Sequence, residues 1–288
     1  MNDPRGRLAT MLQEMTEKTG PLAVAVSGGV DSLTLASFAH RHLDAAQMLA
    51  VHAVSPAVPE EATARVSAQA DAQGWKLLII DAHEFADPRY RANPGNRCFF
   101  CKTNLYAAIG RMTQRQIVSG TNLDDLGDYR PGLDAARDHH VRHPFVEAEI
   151  DKAAVRALAR GLGLGPVAEL PAAPCLASRV ETGIRIEAEM LRFVDEVERL
   201  VAASLAAPEP GRVVRCRLRA DAIVIELDPA SLDALGEAAR VSLRSRILAV
   251  APSTHATGPV LFAPYRRGSA FLTSASLTSP SGAARWTA

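Results

Sequence analysis

Short apolar runs alternate with amphipathic stretches through the first half of the chain. The apolar runs are short enough for buried strands and cover residues 22–26, 48–54, 76–81 and 116–119, with a further short strand over residues 141–146. Apolar positions at helical spacing predict helices over residues 31–42 and 59–73, between the first three strands. This β-α-β-α order predicts an α/β fold in which a parallel sheet carries helices on both faces.

The pattern changes in the second half of the chain. Residues 151–162 predict a helix, and the Gly- and Pro-rich stretch that follows predicts a hinge. After the hinge come a long amphipathic helix over 187–205, strands over 212–218 and 222–227, and one or two helices up to residue 249. The predicted division is an α/β domain over residues 1–165, the hinge over 166–186, a smaller α+β domain over 187–270 and a disordered tail over 271–288.

Composition excludes several classes of protein. The 288 residues include 32 Lys and Arg and 32 Asp and Glu, so the formal net charge is zero, and we expect neither nucleic acid nor an anionic membrane as a partner. The N-terminal segment lacks a signal peptide's apolar core and no apolar run could span a bilayer, so a cytoplasmic protein is expected. Four cysteines, Cys98, Cys101, Cys175 and Cys216, are too few for a disulfide scaffold.

The most informative stretch is the glycine loop, Ser27-Gly28-Gly29-Val30-Asp31-Ser32, between the first strand and the first helix. Its glycines permit close backbone approach, and the helix start presents free N–H groups to an anion. The serine hydroxyls add donors, and Asp31 suits Mg²⁺ beside phosphate oxygens. The loop lacks the Gly-Lys-Ser/Thr ending of a Walker A motif. The alternative is a tight strand-to-helix turn that needs small residues.

Three further stretches carry candidate chemistry. Residues 96–102 contain the Cys-x-x-Cys pair Cys98 and Cys101, which in the cytoplasm indicates metal binding or redox chemistry. Residues 120–132 form an acidic, turn-rich segment, the acidic loop. Residues 171–179, Pro-Ala-Ala-Pro-Cys-Leu-Ala-Ser-Arg, place Cys175 in a Pro-rich segment, the cysteine loop.

The glycine loop resembles the PP-loop of the N-type ATP pyrophosphatases, which have a HUP-like α/β fold. In order and spacing, the four stretches together resemble the ATP-dependent sacrificial sulfur transferases, the LarE family of nickel-pincer cofactor biosynthesis, over roughly residues 10–270. The resemblance implies an enzyme that adenylates a carboxylate of a pyridinium biscarboxylic acid mononucleotide with MgATP. It then inserts sulfur to give a thiocarboxylate, releasing AMP and pyrophosphate.

The resemblance also assigns the nucleotide site. The residues it implies for ATP and pyrophosphate are Ser27, Gly28, Gly29, Asp31, Ser32, Gly120, Asn122 and Asp125. Asp31 would hold Mg²⁺, with help from Asp125. The alternative for Asp124, Asp125 and Asp128 is a solvated turn.

The cysteines decide the sulfur chemistry that the resemblance implies. Cys175 matches the family's sulfur-bearing cysteine, which attacks the acyl-adenylate as a thiolate and ends as dehydroalanine. Members with three cysteines instead resemble iron–sulfur proteins, in which Cys98, Cys101 and Cys175 would hold a [4Fe-4S] cluster with one iron open for an added sulfide. The alternatives for the Cys98 and Cys101 pair are zinc, a redox disulfide or two buried small residues.

Arginines supply a candidate anion site in the second half. Arg215 and Arg217 match paired arginines of the family and suit a mononucleotide phosphate, while Arg179 could lower the pKa of Cys175 or bind the same phosphate. Strand alternation places Cys216 on the opposite face, in the core. The alternative for the arginines is a solvated strand face. Residues 265–269, Tyr-Arg-Arg-Gly-Ser, also resemble a C-terminal family motif.

The chain departs from the family in its second half. Residues 180–183, Val-Glu-Thr-Gly, replace an aromatic Pro-Tyr-Gly stretch, and the segments before Cys175 and after Arg219 also differ, so the acceptor is less closely defined than the ATP chemistry. Other readings are another PP-loop adenylating enzyme (an amidotransferase, a ligase or a tRNA thiolase) or a nucleotide-binding module without catalysis. Expected partners are a small mononucleotide carboxylate, a sulfide donor and further copies of the chain as a homo-oligomer.

Overall fold

The structure is a computed structural model and describes residues 3–127, 130–172, 174–205, 212–253 and 258–266. The chain divides into two compact units. The first comprises Met1–Tyr90 and Asn96–Ala173, and the second comprises Arg91–Gly95 and Pro174–Ala288. The sequence-based boundaries at residues 165 and 186 stay predictions, and the proposed disordered tail, residues 271–288, lies outside the described residues.

The first unit is an α/β layer structure. In chain order its elements are α1 (Pro4–Thr19), β1 (Leu22–Ala25), α2 (Val30–His42), β2 (Met48–Val54), α3 (Glu60–Gln73), β3 (Leu77–Asp81), α4 (Pro88–Arg91), α5 (Arg97–Met112), β4 (Gln116–Ser119), α6 (Pro131–Asp138), α7 (Pro144–Glu147) and α8 (Lys152–Gly161). The four strands are parallel, in the order β3-β2-β1-β4. The predicted α/β fold and its four main strands are confirmed.

Several elements of this unit differ from the sequence-based expectation. Four helices, α1, α4, α5 and α6, were not predicted. The expected strand over residues 141–146 is wrong: only Arg142 forms a parallel bridge, to Val118, and α7 begins at Pro144. A proline has no backbone N–H for a ladder, and its fixed φ suits the first position of a helix, so the chain turns from strand to helix there.

Both faces of the sheet are covered, as a parallel sheet requires. Successive residues of β1 point to opposite faces: Val24 packs into one core cluster and Ala23 into another. The first cluster takes apolar side chains from α1, α2 and α8, and the second from α5 and α6. The sheet is therefore held rigidly on both sides, and the loops at its edge are left to carry polar chemistry.

The second unit contains a mixed three-stranded sheet. Its elements are a 3-10 turn (Leu176–Arg179), α9 (Ala188–Ser204), β5 (Val214–Leu218), β6 (Ile223–Leu227), α10 (Pro229–Ala234), α11 (Glu237–Ala249) and β7 (Val260–Pro264). Strand β6 pairs antiparallel with β5 and parallel with β7, which the sequence pattern did not predict. Among the described residues, no helix combines the length and the apolar character needed to cross a membrane.

Candidate functional site

The strand order creates a crevice at one edge of the first unit. From β1 the chain runs to β2 and then β3 on one side, whereas β4 pairs with β1 on the other side. The loops that leave β1 and β4 therefore diverge at the carboxyl edge of the sheet. Ligands of open α/β sheets bind at such a switch point. The glycine loop follows β1, and the acidic loop follows β4.

The glycine loop is shaped by close backbone packing. Gly28 has φ 83°, and a Cβ atom there would lie 2.7 Å from the carbonyl oxygen of Ala62. The Arg65 guanidinium donates a hydrogen bond of 2.8 Å to the carbonyl oxygen of Gly28. Only glycine fits this conformation in this space, which gives the Gly28 part of the motif a structural reason.

The two serines of the motif tie the loop to the start of α2. The Ser27 backbone N–H donates to Ser32 Oγ at 3.1 Å, and Ser32 Oγ lies 3.2 Å from both Ser27 Oγ and the Gly29 carbonyl oxygen, to which it donates. Gly29 is the N-cap of α2, and no side chain caps this helix. The N–H groups of its first turn have no carbonyl partner within the helix, so they can receive an anion.

Gly120 brings the acidic loop against the same helix start. A Cβ atom on Gly120 would lie 2.8 Å from the carbonyl carbon of Asp31 and 2.9 Å from the backbone nitrogen of Ser32. The two loops are thus in direct backbone contact. The structure brings together Gly120 and the glycine loop, as the sequence predicted for one site.

Asp31 is the charged centre of this crevice. Its Oδ1 accepts from Asn122 Nδ2 at 3.0 Å, and its Oδ2 lies 2.5 Å from Lys152 Nζ. Asn122 is buried, whereas the side chains of Asp31 and Lys152 stay 26% and 33% exposed and are open to a ligand. A carboxylate held in this way has oxygens that fit Mg²⁺ beside a phosphate.

Asp125 organises the acidic loop. Its Oδ2 accepts from the Asn122 backbone N–H at 3.1 Å, and its Oδ1 pairs with Arg130 at 2.7 Å. The Asn122 side chain in turn accepts from the Asp124 backbone N–H. Asp124 is exposed, as the solvated-turn reading expects, and Asp125 is not. Asp128 lies outside the described residues, and the contribution of Asp125 to Mg²⁺ stays a prediction.

A buried histidine supports the glycine loop from behind. His52 Nδ1 lies 2.8 Å from the Val26 carbonyl oxygen and must donate to it, and its Nε2 lies 2.9 Å from Thr63 Oγ1. Burial lowers the pKa of His52, against a smaller opposing effect of the Val26 hydrogen bond. The imidazole is therefore neutral and joins the end of β1 to α3.

The Cys-x-x-Cys pair lies in the first turns of α5. Cys98 and Cys101 are three residues apart on this helix, so their side chains lie on one face, with Cβ atoms about 5–6 Å apart. Both are partly exposed, and no disulfide joins any of the four cysteines. A helix N-terminus favours thiolates. This donor pair fits two ligand positions of a cluster, although no group of three or more His, Cys, Asp or Glu poised to hold a metal ion is found among the described residues.

In the second unit, Arg179 clamps the cysteine loop. Its guanidinium makes a bidentate pair with Glu198, at 2.9 and 3.0 Å, and donates to the carbonyl oxygens of Pro174 and Cys175 at 2.5 and 3.1 Å. Burial disfavours the charge of Arg179, but Glu198 outweighs this and raises its pKa. Arg179 therefore fixes the backbone beside the partly exposed Cys175, a role that the sequence did not predict.

The predicted arginine face of β5 is buried rather than solvated. Arg217 and Arg219 are each about 5% exposed or less, so the solvated-face alternative is wrong for them. Arg217 pairs with Glu226 at 3.0 Å and donates to the Ser178 carbonyl oxygen at 2.9 Å. Burial lowers the pKa of Arg215, and the charges of Arg179 and Arg217 lower it further.

Arg179 pairs with Glu198 and Arg217 with Glu226, and an anion at these arginines stays an expectation from the sequence. Whether the anion is a substrate phosphate stays a prediction. Cys216 is fully buried, as expected, and burial raises the pKa of its thiol. Arg267, Gly268 and Ser269 of the C-terminal motif lie outside the described residues.

Sequence reasoning missed three residues of these sites. Lys152 had a signal, because it is one of only four lysines and directly follows the helix N-cap Asp151. Glu198 had another, because it lies next to the apolar face of α9 between Val194 and Val201. His52 had none beyond its place in an otherwise apolar strand.

The fold and the site define a class: an α/β protein in which a glycine loop and a helix start form the crevice at the switch point of a parallel sheet. No model of a known protein family matches the chain. The chain is 37% identical over 198 residues to uncharacterized protein slr1717 of Synechocystis sp., covering 66% of this chain and 73% of that protein. The chain belongs to the same family as this cyanobacterial protein.

Two further relatives extend the comparison. Uncharacterized protein MJ0830 of Methanocaldococcus jannaschii is 26% identical over 185 residues, covering 63% of this chain and 69% of that protein. The pyridinium-3,5-bisthiocarboxylic acid mononucleotide synthase of Lactiplantibacillus plantarum is 27% identical over 215 residues, covering 73% of this chain and 76% of that protein. The last relative supports the LarE family and a role as a sulfur transferase.

Proposed function

We propose that the chain is an ATP-dependent sulfur transferase that converts a carboxylate of a pyridinium-3,5-biscarboxylic acid mononucleotide, or a close analogue, into a thiocarboxylate. The proposal is carried by one observation: Asp31 stands at the uncapped start of α2, between the glycine loop and Asn122. A glycine loop, a bare helix start and an accessible carboxylate are the parts needed to hold MgATP. The similarity to the Lactiplantibacillus synthase supplies the acceptor class.

In the first step, a carboxylate oxygen of the substrate attacks the α-phosphorus of ATP. The bond from that phosphorus to the bridging oxygen breaks, and pyrophosphate leaves, which gives an acyl-adenylate. Ser27, Ser32 and the first-turn N–H groups of α2 would stabilise the charge on the departing pyrophosphate. Asp31 would hold Mg²⁺ beside it. Gly28 and Gly120 would let the backbone approach the phosphates.

In the second step, the Cys175 thiolate attacks the acyl carbon, and AMP leaves with the electron pair of the C–O bond. Loss of the Cys175 Cα proton and cleavage of its Cβ–S bond would then release the thiocarboxylate and leave dehydroalanine. The clamp from Arg179 to the Cys175 carbonyl supports this proposal, because it positions the backbone next to the reacting sulfur. The arginines Arg215 and Arg217 would bind the substrate phosphate.

The three-cysteine cluster stays part of this proposal as a second source of sulfur. A [4Fe-4S] cluster bound by Cys98, Cys101 and Cys175 would offer an open iron to sulfide from a donor, and Cys175 would then be a ligand that is not consumed. Anaerobic purification, with iron and sulfide analysis and a visible spectrum, tests this. A colourless, iron-free protein after reconstitution would leave the sacrificial route, which predicts the mass loss of one H₂S at Cys175.

ATP–pyrophosphate exchange with candidate carboxylates tests the proposed function as a whole. The wild-type protein and Cys175→Ala are expected to catalyse the exchange equally, whereas only the wild type forms a thiocarboxylate. Cys216→Ala is the matched control, because Cys216 is buried away from solvent, and it should retain both activities. ATP binding without exchange for any carboxylate would indicate a nucleotide-binding module and contradict the proposal. The expected homo-oligomer stays a prediction.

A further inference from the structure

Lys152 places its side-chain nitrogen where helix electrostatics disfavour a cation. It is the first residue of α8, and its Nζ lies 2.5 Å from Asp31 in the first turn of α2. The N-terminal end of a helix carries a partial positive charge, so it attracts anions and repels cations. The Lys152 ammonium is thus placed beside two such ends. Asp31 offsets this, and an added anion would offset it further.

The start of α8 does not depend on the Lys152 side chain. Asp151 caps this helix by accepting from the Ala154 backbone N–H at 2.7 Å. The Lys152 side chain is instead extended into the crevice and remains 33% exposed. Its own backbone N–H points towards Asp124 Oδ2, at 3.4 Å, so the residue connects α8 to the acidic loop as well as to α2.

We propose that Lys152 is a binding residue for the polyphosphate of the nucleotide, a proposal that rests on the proposed function. In the nucleotide-free chain its ammonium pairs with Asp31. When MgATP binds, the ammonium leaves Asp31 for phosphate oxygens, and the released Asp31 oxygen becomes available to Mg²⁺. A lysine suits this exchange, because its ammonium is a compact charge with three donors on a flexible stem.

The test is the affinity of the nucleotide-free protein for MgATP and for magnesium pyrophosphate, measured by calorimetric titration. Lys152→Met removes the charge and keeps most of the length, and it should weaken both ligands by about tenfold to a hundredfold, as expected for a lost charge-assisted hydrogen bond. Lys152→Arg should retain most of the affinity. Lys18→Met, in an exposed ion pair of α1, is the matched control and should bind as the wild type does.

The free energy of unfolding without nucleotide separates binding from a purely structural ion pair. If the ion pair is only structural, Lys152→Met should be less stable than the wild type but should bind MgATP with nearly the same affinity. An affinity of Lys152→Met within about threefold of the wild-type value would overturn the proposal. A wild-type protein that binds neither ligand would contradict the proposed function itself.

Lysine acetylation of the wild-type protein, read by mass spectrometry, keeps the proposal testable if the variant does not fold. MgATP should protect Lys152 from labelling and leave Lys18 unchanged. Equal labelling of Lys152 with and without MgATP would overturn the proposal.

Discussion

Gly28 meets two requirements at a single position: a left-handed backbone and almost no space for a side chain. Gly74, the C-cap of α3, has a similar φ of 73°, but a Cβ atom there would meet nothing within 4 Å. Replacing each glycine by alanine therefore separates two contributions to the free energy of unfolding: the left-handed backbone, which both positions share, and the steric contact of a Cβ atom, which only Gly28 has. A second comparison uses two histidines, because His52 is buried whereas His140 is exposed.

Gly28→Ala is expected to lower the free energy of unfolding more than Gly74→Ala. A left-handed alanine costs about 1–2 kcal/mol, which both variants incur. Only Gly28→Ala also forces a Cβ atom against the Ala62 carbonyl oxygen, so we expect an additional loss of at least about 1 kcal/mol. Urea unfolding of both variants measures the difference, and equal losses would contradict the close packing of the glycine loop.

The stability of the protein should fall in mild acid partly because of His52. Burial lowers the pKa of His52 in the folded chain, whereas in the unfolded chain it is about 6.5. As the pH falls below about 6.5, the unfolded chain gains a proton that the folded chain does not, so the free energy of unfolding decreases until the folded pKa is reached. His52→Asn should make this decrease shallower.

The free energy of unfolding of the wild type and of His52→Asn is measured from about pH 5 to about pH 8, the range in which histidines titrate. The comparison is between the two slopes of this free energy against pH. His143, whose pKa burial also lowers, contributes with the same sign and is present in both proteins. His140→Asn, at an exposed position, is the control for the replacement itself. An unaltered slope for His52→Asn would mean that His52 is not held neutral.

At the scale of elements, ion pairs in the second unit fasten the cysteine loop to α9 and β5. Glu198 of α9 binds Arg179 and also accepts from the Cys216 backbone N–H at 2.9 Å. One carboxylate thus joins three segments that are distant in sequence. The loop that carries Cys175 owes its position to these contacts rather than to regular secondary structure.

Glu198→Gln is expected to destabilise the second unit by about 3–5 kcal/mol, because Arg179 would remain charged, buried and without its carboxylate. Glu169→Gln removes the partner of Arg160 in a pair whose side chains are 56% and 63% exposed, and it should change stability little. Hydrogen exchange in α9 and β5 locates the effect. Equal stability of the two variants would show that the clamp is not structural.

The apolar pattern predicted where most of the strands and several helices lie, but not the partners of their polar side chains. The strands β1 to β4 and helices α2, α3 and α8 follow their apolar periodicity closely. Alternation also separated Cys216 from the arginines of β5, but it could not reveal that both faces are buried. The guanidinium of Arg217 can be buried because it donates hydrogen bonds to Glu226 and to the Ser178 carbonyl oxygen. These partners lie 9 and 39 residues away, so the periodicity of the sequence does not indicate them.

The same limit applies to the candidate site. The family resemblance assigned Asp31 and Asn122 to one site, and their side chains are hydrogen-bonded at 3.0 Å. Lys152 belongs to the same crevice, but its partner Asp31 lies 121 residues earlier. The hydrogen bonds from Arg179 to the carbonyl oxygens of Pro174 and Cys175 could not be predicted either. An arginine near a cysteine is usually expected to bind substrate or to lower the pKa of the thiol.

At the scale of the whole molecule, the candidate nucleotide residues all lie in the first unit and the candidate substrate arginines all lie in the second. A ligand that contacts only the candidate nucleotide residues should therefore slow hydrogen exchange in the first unit and not in the second. This difference is measurable without knowing the acceptor.

MgATP at about 100 times its dissociation constant should stabilise the folded chain by about 2.7 kcal/mol. Hydrogen exchange should slow in the glycine loop, in the acidic loop and at the start of α8, while α9 is expected to change little. Pyrophosphate should reproduce the effect at the glycine loop. Protection confined to α9 and β5 would place the nucleotide in the wrong unit and contradict the assignment.

The pairing of Asp31 also has a consequence for synthesis on the ribosome. Its two side-chain partners follow it by 91 and 121 residues. At about 5–20 residues per second, Lys152 is added roughly 6–24 s after Asp31. Until Asn122 is added, the nascent chain contains the glycine loop but neither partner of the Asp31 carboxylate, and Lys152 is the last of the two to be added. Nucleotide binding should therefore begin only when α8 has left the exit tunnel, which makes it a reporter of the moment at which the first unit has folded.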